Sequence, residues 1–203
     1  MFINEKILKR LMMASYKRNG IYMAREEGWL YLSDAFSVSW EARIAVGCVP
    51  KTILGAMVEC AGSMPEDCTG WTADKEKNQM EAFLKWELDE KTFQGIDGYS
   101  RVEITPVYIS SQGGTLYRIL QLNNNAALAV RPEFMNAIDP ACIDRENEEG
   151  MIRGPYYDGN RGIFAFTDHA VWHVSADNPP LTHHIMDVLG EHRLRFDEEE
   201  ESR

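Results

Sequence analysis

One pattern occurs twice in this chain, and it constrains the fold more than any other feature. Gly28–Ala42 overlays Gly162–Ala176 without a gap, placing Leu30 on Phe164, Leu32 on Phe166, Ser33 on Thr167, Asp34 on Asp168, Val38 on Trp172, Trp40 on Val174 and Ala42 on Ala176. In the first copy Phe36, Val38, Trp40, Ala42 and Ile44 alternate with Ala35, Ser37, Ser39, Glu41 and Arg43. A period of two marks a strand with one buried face, since a helix would scatter both sets around its circumference. The register predicts Val38, Trp40, Trp172 and Val174 pointing inward, with Ser37, Ser39, His173 and Ser175 on the other face and His173→Ala of little consequence for stability. The aspartate within each copy, Asp34 or Asp168, suits an Asx turn, so each copy reads as a hairpin.

The flanks repeat in outline. Asn4 is placed to cap a helix with Ile7, Leu8, Leu11 and Met12 on one face, and Ile21–Arg25 leads as a strand into the first hairpin. Ile53, Leu54, Met57, Val58 and Ala61 predict a second helix starting near Pro50 and stopping at Gly62 and Pro65. Val102–Ile109 and Thr115–Leu122, joined by Ser110–Gly114, form a further expected hairpin. Ala127–Val130 suits a strand and Pro132–Ile138 a short helix, followed by a mobile loop over 144–150, a strand over 151–157 and the second hairpin. After Pro179-Pro180, Ile185, Val188 and Leu189 predict a closing helix that ends at Gly190. Residues 70–93 are ambiguous, with Met80, Phe83, Leu84 and Leu88 at helical spacing in a Trp- and Thr-bearing stretch.

The net charge of −11 argues against a generally basic surface, although the tail Asp197–Glu201 supplies part of it. An acidic chain can still carry a basic stripe, or imitate the phosphates of DNA. The densest positive cluster is Lys6, Lys9, Arg10, Lys17 and Arg18 on the first helix, a pattern that also suits a solvated face. No apolar run reaches membrane-spanning length and no signal peptide opens the chain, so a cytoplasmic location is expected. Cys48, Cys60, Cys68 and Cys142 form no CxxC pair and are expected as reduced thiols, mostly packed as small apolar groups.

Gly28–Glu66, reading GWLYLSDAFSVSWEARIAVGCVPKTILGAMVECAGSMPE, resembles the first-domain passage of the DNA sliding clamps, the processivity fold of bacterial polymerase beta subunits and their phage counterparts. In that passage a hairpin runs into a Val-Pro helix start and closes at Pro-Glu. Thr167-Asp168 resembles the family's Thr-Asp strand entry, after which His169, Ala170 and Val171 stand in place of its Gly-His-Arg. The resemblance covers roughly the first 66 residues and the span from about Ala127 to Asn178. It implies an α+β fold of duplicated clamp-like units, with short helices packed on antiparallel sheet. Helices line the ring in that family and touch DNA phosphates, which implies DNA contacts at Lys6, Lys9, Arg10, Lys17 and Arg18. An outer pocket beside the Thr-Asp strand takes peptide tails, which implies partner contacts at Thr167, His169 and Trp172.

The expected organisation is a clamp-like domain over 1–122, a partial second repeat over 123–196 and an acidic tail over 197–203. No GxSxG, P-loop or GxGxxG pattern occurs, so no catalytic residue is nominated and a non-enzymatic role is expected. No cofactor or metal is expected either, because on a strand His169 and His173 stand about 13 Å apart. The expected function is binding of a DNA-replication or DNA-handling partner, a polymerase or loader subunit, with oligomerisation around duplex DNA. The alternative is an acidic inhibitor or DNA mimic that binds a host nucleic-acid-binding protein.

Overall fold

The computed structural model describes residues 2–37, 39–76, 78–82, 98–111, 113–138, 153–160, 162–177 and 183–194. Val38, Phe83, Leu84, Leu88, Cys142, the loop expected over 144–150, Pro179-Pro180 and the acidic tail lie outside them.

Asn4 begins the first helix as the sequence predicts, its Oδ1 accepting from the backbone N–H of Lys6 (3.1 Å) and Ile7 (3.3 Å). These bonds satisfy two donors that a helix start otherwise leaves unpaired. Helix α1 (Glu5–Arg18) buries Leu8, Leu11, Met12 and Ser15, one stripe at helical spacing. Strands β1 (Ile21–Glu26), β2 (Trp29–Asp34) and β3 (Trp40–Ala45) follow as an antiparallel meander. Helix α2 (Lys51–Ala61) comes next and stops at Gly62, whose φ of 79° is the left-handed conformation of a helix end. It runs beside α1 in the same direction, with Thr52 Oγ1 donating to Glu5 Oε2 (2.8 Å) near one end and Cys60 lying by Met13 further along.

The ambiguous stretch contains two strands, β4 (Thr69–Ala73) and β5 (Gln79–Glu81). The expected hairpin is β6 (Ser100–Ser110) and β7 (Leu116–Leu122), and β8 (Ala127–Val130) leads into the short helix α3 (Pro132–Met135). Strands β9 (Arg153–Tyr157), β10 (Gly162–Thr167) and β11 (Ala170–Ser175) form the second meander, and α4 (His183–Gly190) is the closing helix. The eleven strands among the described residues join one antiparallel sheet in the order β5-β4-β1-β2-β3-β11-β10-β9-β6-β7-β8. The protein is thus α+β, with its two meanders meeting at β3 and β11 in the middle of the sheet.

On one face of the sheet, α1, α2 and α3 pack against Leu30, Leu32, Trp40, Ala42, Ile163, Ala165, Trp172 and Val174. Trp40 Nε1 donates to Ser15 Oγ (3.3 Å) on α1, and Trp172 Nε1 to the Phe134 carbonyl (3.0 Å) on α3. The inward register of Trp40, Trp172 and Val174 is as the alternation predicts.

Three expectations are corrected. The central strands bury both faces, since Tyr22, Tyr31, Phe164, Phe166, Val171 and even His173 are buried on the side away from α1. A polar residue on a strand therefore does not mark a wet face here. Secondly, the gap-free overlay matches residues on opposite faces in its first strand, where Leu30 and Leu32 point to the helices and Phe164 and Phe166 away from them, but residues on the same face where Trp40 lies on Val174. A one-residue slip inverts every side chain of a strand. The turns differ as well, residues 34–40 separating the last pair Ser33/Glu41 in one hairpin but only 168 and 169 separating Thr167/Ala170 in the other. Thirdly, Phe36 is not in a strand but at the tip of the longer turn, 73% exposed.

Candidate nucleic-acid interface

The amphipathic stripe that seats α1 also decides what it displays. With Leu8, Leu11, Met12 and Ser15 facing the sheet, Lys6, Lys9, Arg10, Lys17 and Arg18 all lie exposed. Among the described residues none of the five is engaged in an ion pair. The helix carries one acid, Glu5, held by Thr52. Neighbouring α2 adds exposed Lys51 and exposed Glu59, so the positive charge of this layer belongs to α1. Because the whole protein carries −11, the surface outside α1 is more acidic than the total indicates. The arrangement presents a row of flexible cations on a rigid rod, the chemistry that contacts phosphate without reading sequence.

At the C-terminal end of α1 three chain segments converge. The Gly20 carbonyl accepts from Ala35 N (3.1 Å), and the Tyr16 carbonyl accepts from Lys75 N (3.1 Å). Asp34 organises the turn above, its carboxylate accepting from Ser37 N (3.2 Å), Ser37 Oγ (2.7 Å) and Ser39 N (3.2 Å). The Asx turn expected at Asp34 is therefore present. At Asp168 it is not, the side-chain acceptor there being Thr167 Oγ1, bonded to His169 N (3.3 Å).

The expected partner-binding set is not assembled on one surface. Thr167 is half-buried and His169 exposed at the tight turn, but Trp172 has no exposed area and belongs to the core. The thiols also divide: Cys60 is buried, whereas Cys48 and Cys68 are exposed, against the expectation of packed thiols. Burial, with Glu59 adding to it, pushes the Cys60 thiol up to about 11.

A second polar group lies on the face away from α1. His173 Nδ1 sits 3.3 Å from Glu41 Oε2 across the β3–β11 pair, both side chains almost wholly buried. Gly162 lets the ring and Asp158 approach: a Cβ there would run into Asp158 Oδ2 and come within 2.7 Å of His173 Nε2. Arg43, on the same face, stacks over Trp29 with its guanidinium 4.4 Å from the ring centroid. His169 and His173 stand in a turn and a strand respectively, and among the described residues no three His, Cys, Asp or Glu side chains form a metal-holding group.

Sequence reasoning found the cations of α1 but missed Phe36, Lys75 and the Glu41, Asp158 and His173 group. Only Phe36 left a local signal, the Asp34-x-x-Ser37 spacing that breaks a strand into a turn. No protein-family model, curated protein or solved structure matches this chain. No helix among the described residues is long and apolar enough to cross a membrane.

Proposed function

We propose that this is a non-enzymatic, clamp-like protein that holds nucleic acid by its phosphates along α1 and serves a DNA-handling partner. The observation that carries this reading is the set of five exposed cations, free of ion pairs among the described residues, on a single helix of an acidic chain. A helix layer on one side of a continuous sheet is also what the resemblance to sliding clamps leads one to expect. In this reading the two meanders are the duplicated units, the helix face lies toward DNA and the protein oligomerises around it.

The test is duplex DNA binding at about 50 mM salt and its salt dependence. Each phosphate neutralised contributes a slope of about −0.9 in log K against log salt, so five contacts give a slope near −4.5. Replacing Lys6, Lys9 and Arg10 together by Glu is expected to abolish binding. A wild-type protein that fails to bind at about 50 mM salt would overturn the reading, and capture of a basic nucleic-acid-binding protein in place of DNA would favour a DNA mimic.

A further inference from the structure

We infer that the C-terminal end of α1 is a stacking site for an unpaired nucleobase, with Phe36 as its platform and Lys17, Arg18 and Lys75 as its phosphate contacts. The inference rests on the phosphate-binding reading of α1 and assigns that surface a ligand, single-stranded nucleic acid.

Phe36 is the most exposed of the large apolar side chains among the described residues. Asp34 ties down Ser37 and Ser39 beneath it, and Ala35, the residue before it, is bonded to Gly20 immediately after α1. Gly20 makes that approach possible: its φ of 93° disfavours any side chain, and a Cβ would meet the Ala73 carbonyl oxygen at 3.2 Å. Phe36 therefore follows a residue tied to the end of α1 where Lys17 and Arg18 are exposed, and the backbone bond from Lys75 N to the Tyr16 carbonyl brings a third exposed cation, flanked by Asp74 and Glu76, to the same end.

An aromatic face beside cations matches the two features a single strand offers together, a free base plane and a charged backbone. The Asp74 carboxylate is taken up by Glu76 N, Asn78 N and Asn78 Nδ2, so Lys17 and Arg18 set the charge at this end of α1, and complementary charge favours nucleic acid as the occupant over an apolar protein surface. In a paired duplex the base planes are covered by their neighbours, so Phe36 discriminates between the two forms while the cations serve both.

The experiment measures binding of the full chain to a dye-labelled oligo-dT of about 12 nucleotides and to a blunt duplex of about 12 base pairs, by fluorescence anisotropy at several salt concentrations. Phe36→Ala is expected to weaken oligo-dT binding about tenfold without changing the salt slope, and Phe36→Trp to retain it. Duplex affinity should be the same in all three proteins. Oligo-dT affinity unaffected by Phe36→Ala, or an equal loss on both ligands, overturns the stacking site and leaves the phosphate-binding reading standing. If the wild-type protein binds neither ligand, both fail together.

Discussion

Trp40 and Trp172 stack diagonally across the β3–β11 pair, their ring centroids 5.8 Å apart and their planes inclined by 18°. Each indole N–H is bonded to a different helix, Trp40 to α1 and Trp172 to α3. The pair therefore joins the two meanders to each other and to the helix layer at once. Truncating either to Ala is expected to cost about 3–5 kcal/mol, a large part of the roughly 5–15 kcal/mol that holds a domain together. Urea unfolding of both variants checks this. A double variant less destabilised than the sum of the two singles would show the rings acting as one unit.

Directly behind the tryptophans, Glu41 and His173 face one another with little exposure. His173→Ala removes a buried ring from beside Glu41, and the expected loss is about 1–3 kcal/mol. Lys9→Ala on the exposed side of α1 should stay within about 0.5 kcal/mol. Equal midpoints for these two variants in chemical denaturation would show that the His173 ring contributes no packing to the fold.

Gly162, in the second meander, is hemmed in by side chains. A methyl group there collides with Asp158 and the His173 ring, and the ring cannot retreat because it is itself enclosed. Gly162→Ala is expected to destabilise by about 1–3 kcal/mol. Gly159→Ala meets no atom but adopts a φ of 85°, so its smaller loss, about 1 kcal/mol, comes from backbone strain alone. Thermal unfolding of the two variants separates crowding from strain.

Thiol chemistry gives a pH-dependent expectation. The reactive form is the thiolate, and because burial raises the Cys60 thiol to about 11, Cys60 remains protonated at pH 8. Alkylation of the native protein at pH 8, mapped by peptide mass spectrometry, should modify exposed Cys48 and Cys68 and spare Cys60. Labelling of Cys60 should rise only as the pH approaches 11 or as the protein unfolds. Modification of all three at equal rates would contradict the packing of Cys60 beside Met13.

The elements were legible where a local rule decides them. Asn4 caps α1, Gly62 ends α2, and the Ser110–Gly114 link turns β6 into β7, each for a reason contained within a few residues. What was not legible depends on neighbours distant in sequence. The alternation around Trp40 indicates which residues share a face but not that the opposite face is covered as well, so His173 read as a surface residue. Two hairpins of similar apolar pattern gave a residue-by-residue match that the faces of Leu30 and Phe164 refute, since pattern alone does not fix register when both faces are apolar. At the interface, the cations of α1 followed from helical spacing. Phe36 and Lys75 reach the same end of that helix only through bonds to Gly20 and Tyr16.

The pairing of β3 with β11 also governs how the protein is made. Trp40 and Val174 are partners in the centre of the sheet although about two thirds of the chain's length lies between them. A nascent chain can build α1, β1, β2 and β3 early, but β3 then stands as an open edge, with Trp40 lacking its stacking partner, until β11 has left the ribosome. Contacts of such long sequence separation form slowly. An unpaired central strand is also a template for the wrong partner, including β3 of a second nascent chain. The joint that gives the finished sheet its continuity is thus the last to close during synthesis, and the interval before closure is when aggregation threatens the chain most.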